Sequence, residues 1–164
     1  MNQTTSSKSL VLFYSWGGST RRVAQGIAQK TASDLLELKP AVPYPGDYNT
    51  VVAQAKQEIQ RRYEPPLAPV AIDWGAYGTV YLGTPNWWST MAPPLYSFLR
   101  ELMPTEKTII PFCTHGGGGA GRIARDIANL CIGCDVLPIF SVQGDGGADL
   151  GRKLEDWLKR IGQL

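Results

Sequence analysis

Residues 10–20 read LVLFYSWGGST. The first four, Leu10 to Phe13, are apolar without a break, as in a strand covered on both faces. The chain then passes through Gly17 and Gly18, with hydroxyl side chains at Ser15, Ser19 and Thr20, just where a helical pattern begins. A strand that runs straight into a helix is the opening of a β/α unit. The amide N–H groups of a helix's first turn lack intrahelical partners and carry partial positive charge. Glycines let such a backbone curl close around an anion, and hydroxyls can donate to its oxygens. The stretch therefore reads as a phosphate cradle. The plainer alternative is a Ser/Thr cap following a glycine turn. It contains no lysine, so it is not the G-x-x-x-x-G-K-[ST] loop of nucleoside triphosphate sites, and a phosphomonoester suits it better.

The same alternation continues along the chain. Strands are expected at Leu10–Tyr14, Asp34–Leu38, Thr79–Gly83, Thr108–Cys113 and Val136–Phe140, and helices at about 20–31, 48–62, 93–102, 120–130 and 148–161. In the last helix Leu150, Leu154, Trp157, Leu158 and Ile161 recur at helical spacing. Five such units predict an α/β fold, a three-layer doubly wound domain around a five-stranded parallel sheet. Residues 63–78, with Pro65, Pro66 and Pro69, read as a long surface connection. Residues 1–8 read as a disordered polar lead-in and 9–164 as one domain. In such folds ligands sit beyond the carboxyl ends of the strands, where strand order reverses, so the loops after the first, third and fourth strands carry the interest.

Composition narrows the class. A chain of 164 residues can bury a real core. Its 18 glycines amount to roughly 11% against about 7% ordinarily, which hints at backbone that must approach something closely. A formal charge of +2 is too mild for a nucleic-acid partner, and the pairs Arg21-Arg22 and Arg61-Arg62 read as solvated helix faces. No apolar run reaches the roughly 18–20 residues of a membrane span. Three cysteines suit a reducing, cytoplasmic compartment better than a disulfide framework.

The loop after the third strand is GTPNWWSTMAPP, residues 83–94. Two adjacent tryptophans are costly to expose, and Trp87 and Trp88 cannot both enter one core. An indole face would cover a flat aromatic ligand, or both rings could pack over the following helix. The loop after the fourth strand is CTHGGGGAG, residues 113–121. Gly116, Gly118 and Gly121 match G-x-G-x-x-G, but Asp135 precedes the next strand instead of ending it, which speaks against a dinucleotide fingerprint. Bare amides facing a planar ring explain the loop better. Together the three loops describe a ligand with a phosphate at one end and a flat heterocycle at the other, the shape of FMN.

On these residues the chain resembles the flavodoxin family, in the branch with a tryptophan pair after the third strand, from about residue 9 to 161. YSWGGST resembles the family's Y-S-x-T-G-N-T loop, YLGTPNWW its G-x-P-x-W-W segment and IPFCTHGGGGAG its P-F-x-T-x-G-G loop. The resemblance implies a non-covalently bound FMN cofactor. Ser15, Gly17, Gly18, Ser19 and Thr20 would hold the phosphate. Thr84, Pro85, Asn86, Trp87 and Trp88 would flank the isoalloxazine, and Thr114, His115, Gly116 and Gly117 would line its pyrimidine edge. Gly17 and Ser19 replace the family's threonine and asparagine, and no glycine lies between Thr84 and Met91.

His115, the lone histidine, belongs to the side-chain type that exchanges protons near neutrality; equally, it could offer only its backbone. Cys131-Ile132-Gly133-Cys134 ends a helix, whereas redox C-x-x-C pairs open one, so buried inert thiols are expected and no metal or catalytic residue is assigned. Three functions stay open. One is an FMN electron carrier serving a redox partner protein. Another is an NAD(P)H-dependent, quinone reductase-like enzyme acting on a small-molecule acceptor, a class in which a homodimer often builds the site. The third is a flavin-free interaction module. Carriers of this fold tend to be strongly acidic to steer basic partners, which a pI near 8.4 does not match.

Overall fold

The computed structural model describes residues 7–164. Its strands are β1 (Lys8–Phe13), β2 (Asp34–Glu37), β3 (Tyr77–Pro85), β4 (Thr108–His115), β5 (Asp135–Val136) and β6 (Phe140–Gln143). The helices are α1 (Ser19–Thr31), α2 (Tyr48–Gln60), α3 (Pro93–Leu102), α4 (Ile123–Leu130) and α5 (Leu150–Arg160). All strand pairs in the sheet are parallel, in the order β2-β1-β3-β4-β5, with β6 also on β4. The chain leaves β1 toward β2 and returns to the other side of β1 as β3, so the strand order reverses there. The loops after β1 and β3 therefore diverge and open a crevice at the carboxyl edge.

The uninterrupted apolar strands follow from burial on both faces. Leu10, Leu12, Val80, Leu82 and Ile109 pack with Leu95, Leu99, Ile123 and Ile127 of α3 and α4. Val11, Phe13, Tyr81, Ile110 and Phe112 pack with Val23, Ile27, Leu154 and Trp157 of α1 and α5. Gly83 is the place where a side chain cannot be afforded, because a Cβ there would lie 2.1 Å from Phe112 Cζ.

Three expectations are corrected. The fifth strand is two pieces, β5 and β6, instead of one run over Val136–Phe140. Pro138 has no N–H to give the ladder, and its carbonyl turns away to accept from the buried Trp157 indole at 3.1 Å. Lys8, expected within the disordered lead-in, pairs with Tyr77 in the sheet; the rest of that expectation, residues 1–6, lies outside the described residues. Helices α4 and α5 begin at Ile123 and Leu150, later than expected, because glycines at positive φ, Gly121 before one and Gly146 and Gly147 before the other, hold the chain out of the helix.

Candidate functional site

Three loops meet at the carboxyl edge of the sheet around a cleft of about 530 Å³, a volume typical of small-molecule sites. Of the residues expected to hold a ligand, Ser15, Gly17, Ser19, Thr20, Pro85, Asn86, Trp87, Trp88, Thr114, His115 and Gly116 line it; Gly18, Thr84 and Gly117 do not.

The first loop folds around Ser15, whose Oγ accepts from the amides of Gly18 at 3.1 Å and Arg21 at 3.2 Å. The hydroxyl thus occupies part of the nest that a bare helix end would offer, while its own proton stays available. The amides of Gly17, Ser19 and Thr20 have no protein acceptor among the described residues. Gly18 turns the chain into α1 at φ 100°. The Thr20 hydroxyl, expected to face the cleft freely, shares a 2.8 Å bond with that of Thr114, and both residues are buried. That bond joins the first loop to the end of β4. Arg21 and Arg22 are solvent-exposed as expected, at 41% and 43% of the side chain, but both are also tied to the protein. Arg21 makes a bidentate pair with Glu37, at 3.0 and 2.6 Å, which raises the guanidinium's pKa through that hydrogen bond and charge. Arg22 donates to the carbonyls of Asp145 and Gly147, at 2.6 and 3.1 Å, and pins the loop before α5.

The second loop is a two-residue hairpin. Trp87 and Thr90 exchange backbone hydrogen bonds of 3.0 and 3.2 Å. The residues between them, Trp88 at φ 56° and Ser89 at φ 70°, are both left-handed. Hairpins of this type usually place Asn-Gly there, and non-glycine residues in that region cost roughly 1–2 kcal/mol each. Clamps to the third loop hold the strained turn. Asn86 donates its amide to the Thr114 carbonyl at 2.8 Å and its Nδ2 to Gly119 at 2.7 Å. Arg122 N–H donates to the Ser89 carbonyl at 2.8 Å, and the Thr90 hydroxyl to Asp126 at 2.6 Å. Gly121 permits this contact, since a Cβ there would fall 2.5 Å from Ser89 O. Thr84, expected at the ligand, is instead fully buried. Its hydroxyl donates to the Pro85 carbonyl and accepts from Ala92 N–H, tying the hairpin to the start of α3.

The two indoles divide their work. Trp87 meets Tyr14 and Tyr44 edge to face, with ring centroids 5.7 and 5.2 Å apart. Trp88 remains 46% exposed, donates its Nε1–H to the Val52 carbonyl at 3.0 Å and lies beneath Lys56 Nζ at 5.1 Å. Tyr44 donates to Glu58 Oε1 at 2.6 Å; burial and that bond keep its phenol neutral well beyond the ordinary range.

In the third loop His115 Nδ1 accepts the Gly117 amide at 3.0 Å. This places the proton of the neutral ring on Nε2 and spends the Gly117 amide, which the ligand was expected to use. The cysteines stay inside the fold. Burial pushes the Cys113 and Cys131 thiols up to about 12, and Cys134 donates to the Pro104 carbonyl.

Trp16, Tyr48, Val51, Val52, Ala55 and Gly144 also line the cleft and were not expected there. Trp16 sat in plain view within the first loop. The α2 residues carried only their helical spacing, which says that a face is covered but not by what. The result is a cleft lined by free amides and hydroxyls together with aromatic side chains.

The comparisons with known proteins agree with this architecture. A candidate flavoprotein of Bacteroides eggerthii superposes with a TM-score of 0.82 at 25% identity, over 94% of this chain and 98% of its own. A Lactobacillus acidophilus flavoprotein solved in complex with FMN gives 0.72 at 23%, over 88% and 97%. Oxidised flavodoxin 2 of Bacillus cereus gives 0.61 at 13%, over 95% and 98%. Among curated proteins no sequence matches significantly. The sequence profile described as Flavodoxin matches residues 8–160, so the chain belongs to the flavodoxin family.

Proposed function

We propose that the chain is an FMN-binding redox protein that passes electrons through a non-covalently held flavin. One observation carries the reading: Gly17, Ser19 and Thr20, whose amides have no protein acceptor among the described residues, line the same cleft as Trp87 and Trp88. Those amides and the Ser15 and Ser19 hydroxyls fit a phosphomonoester, helped by the α1 dipole. Pro85, Asn86, Trp87 and Trp88 would cover one face of a tricyclic ring, and Thr114, His115 and Gly116 would border its edge. His115 Nε2–H is the donor of the cleft suited to an electron-rich ring atom. When bound, FMN supplies one- and two-electron chemistry; the protein contributes position and electrostatics.

Supporting evidence from outside the chain is the FMN complex of the Lactobacillus acidophilus relative. The basic balance of the chain favours, as a second reading, NAD(P)H-driven reduction of a small acceptor such as a quinone over docking to a basic carrier partner. Fluorescence titration tests the first reading. FMN should be quenched with saturation, while riboflavin, which has no phosphate, should bind at least about tenfold more weakly, 1.4 kcal/mol. Equal affinity for both would refute the cradle. NADPH oxidation coupled to quinone loss would then separate enzyme from carrier.

A further inference from the structure

A second concavity, of about 400 Å³, lies over α3 between α2 and α4. It shares no lining residue with the first cleft, although the two meet across the hairpin: Trp87 and Trp88 line one, Thr90 and Met91 the other. Buried Met91 lines it, with Tyr63 and Tyr96, and so do three arginines from separate parts of the chain, Arg62 after α2, Arg100 of α3 and Arg122 before α4.

Most of the hydrogen-bonding capacity left over in this groove is donor capacity. Its carboxylates are largely engaged from inside the protein, Glu58 at both oxygens and Asp126 at Oδ2, with Arg125 Nε 3.8 Å from Asp126 Oδ1. Glu58 takes the Tyr44 hydroxyl and Gln54 Nε2, at 2.6 and 2.9 Å, and Asp126 takes the Thr90 hydroxyl and Arg122 Nε, at 2.6 and 3.1 Å. The arginines are far from satisfied, since each guanidinium carries five N–H donors. Arg62 forms no ion pair among the described residues, and Arg100 reaches only an exposed Glu64 at 3.6 Å. Arg62 also stands at φ 53°, one residue past the C-cap of α2, where Tyr63 N–H closes on the Glu58 carbonyl at 2.9 Å. Helix ends of this kind normally place glycine there. The chain carries an arginine in a conformation that disfavours it, and that arginine lines the groove.

We propose that this groove binds a small planar aromatic anion, its ring against Tyr63 and Tyr96 and its carboxylate or phosphate on Arg62, Arg100 and Arg122. The site does not depend on the flavin reading. Because Arg122 N–H and Asp126 also grip Ser89 and Thr90, an occupant touches the hairpin that walls the first cleft.

Phenyl phosphate titrated into the isotope-labelled full chain tests this by NMR, with benzyl alcohol as the uncharged control. Saturable shifts at Ile59, Tyr63, Met91 and Leu130 are expected, with benzyl alcohol binding at least tenfold more weakly. Arg62→Gly should raise the unfolding temperature and yet lower phenyl phosphate affinity at least fivefold, a split that a merely structural arginine would not produce. Arg100→Gln should lower affinity without the gain in stability. Shifts confined to residues 15–20, equal response to benzyl alcohol, or undiminished affinity in both variants would overturn the proposal.

Discussion

Replacing Gly121 by alanine should unlock the tryptophan hairpin while leaving the sheet intact. The new Cβ would stand 2.5 Å from Ser89 O and 2.9 Å from its carbonyl carbon, about 0.9 Å inside ordinary van der Waals contact. Both neighbours are backbone, so no side chain can swing aside. The alanine would also have to hold φ 53°, costing roughly 1–2 kcal/mol. Separation of the loops would break the Arg122 N–H to Ser89 bond, worth about 0.5–1.5 kcal/mol net. The expected destabilisation is therefore about 2–4 kcal/mol with the steric strain included, less than the whole stability of an ordinary domain, so the variant stays folded. Urea unfolding followed by tryptophan fluorescence measures it, and an FMN titration on the same sample should show affinity lowered by at least about tenfold. Gly116→Ala is the counterpart. Nothing lies within 4 Å of its Cβ and its φ is ordinary, so stability should stay within about 0.5 kcal/mol, while a methyl group projecting into the cleft weakens FMN binding. If Gly121→Ala unfolds at the parent's urea concentration, the two loops are not clamped as described. Should Gly116→Ala bind FMN as the parent does, the ring does not lie against that loop.

Thr20→Val removes one member of a buried hydroxyl pair and leaves Thr114 unsatisfied; it should cost about 1–3 kcal/mol in denaturant unfolding and weaken FMN, and a neutral result would mean the pair is incidental. Ala32→Gly relieves the left-handed C-cap of α1 at φ 53° and should raise stability by about 0.5–1 kcal/mol, read as a higher thermal midpoint. Folding should weaken at alkaline pH. Cys113 and Cys131 have native values raised by burial from 9.0 to about 12, so below pH 9 both states hold these protons and the full contribution is present. Between pH 9 and 12 the unfolded chain loses them first, and stability falls. Urea midpoints measured across that window check the sign, and Cys113→Ala should flatten the decline.

Much of this fold was legible because its causes are local. Strands covered on both sides need unbroken apolar runs, and Leu10–Phe13, Val80–Leu82 and Ile109–Cys113 carry them. The glycine and hydroxyl content of residues 15–20, and the tryptophans at 87 and 88, were enough to point at the loops that meet around the cleft. The fifth strand is the exception: Pro138 inside the apolar run has no N–H for the ladder, a break legible in the sequence, whereas the bond from Trp157 to its carbonyl exists only in the fold.

What the sequence determined by itself was the alternation of elements, the polarity of each loop and therefore the end of the sheet where the unusual loops gather. What only the tertiary structure decided was which polar groups remain free. Ser15 spends its oxygen on Gly18 and Arg21, Thr20 is taken by Thr114, Gly117 by His115, and Thr84 turns inward to Ala92. The physical reason is that a hydrogen bond has a partner as well as a donor. Composition names the groups that could bind, but packing between residues distant in sequence determines which of them are still available.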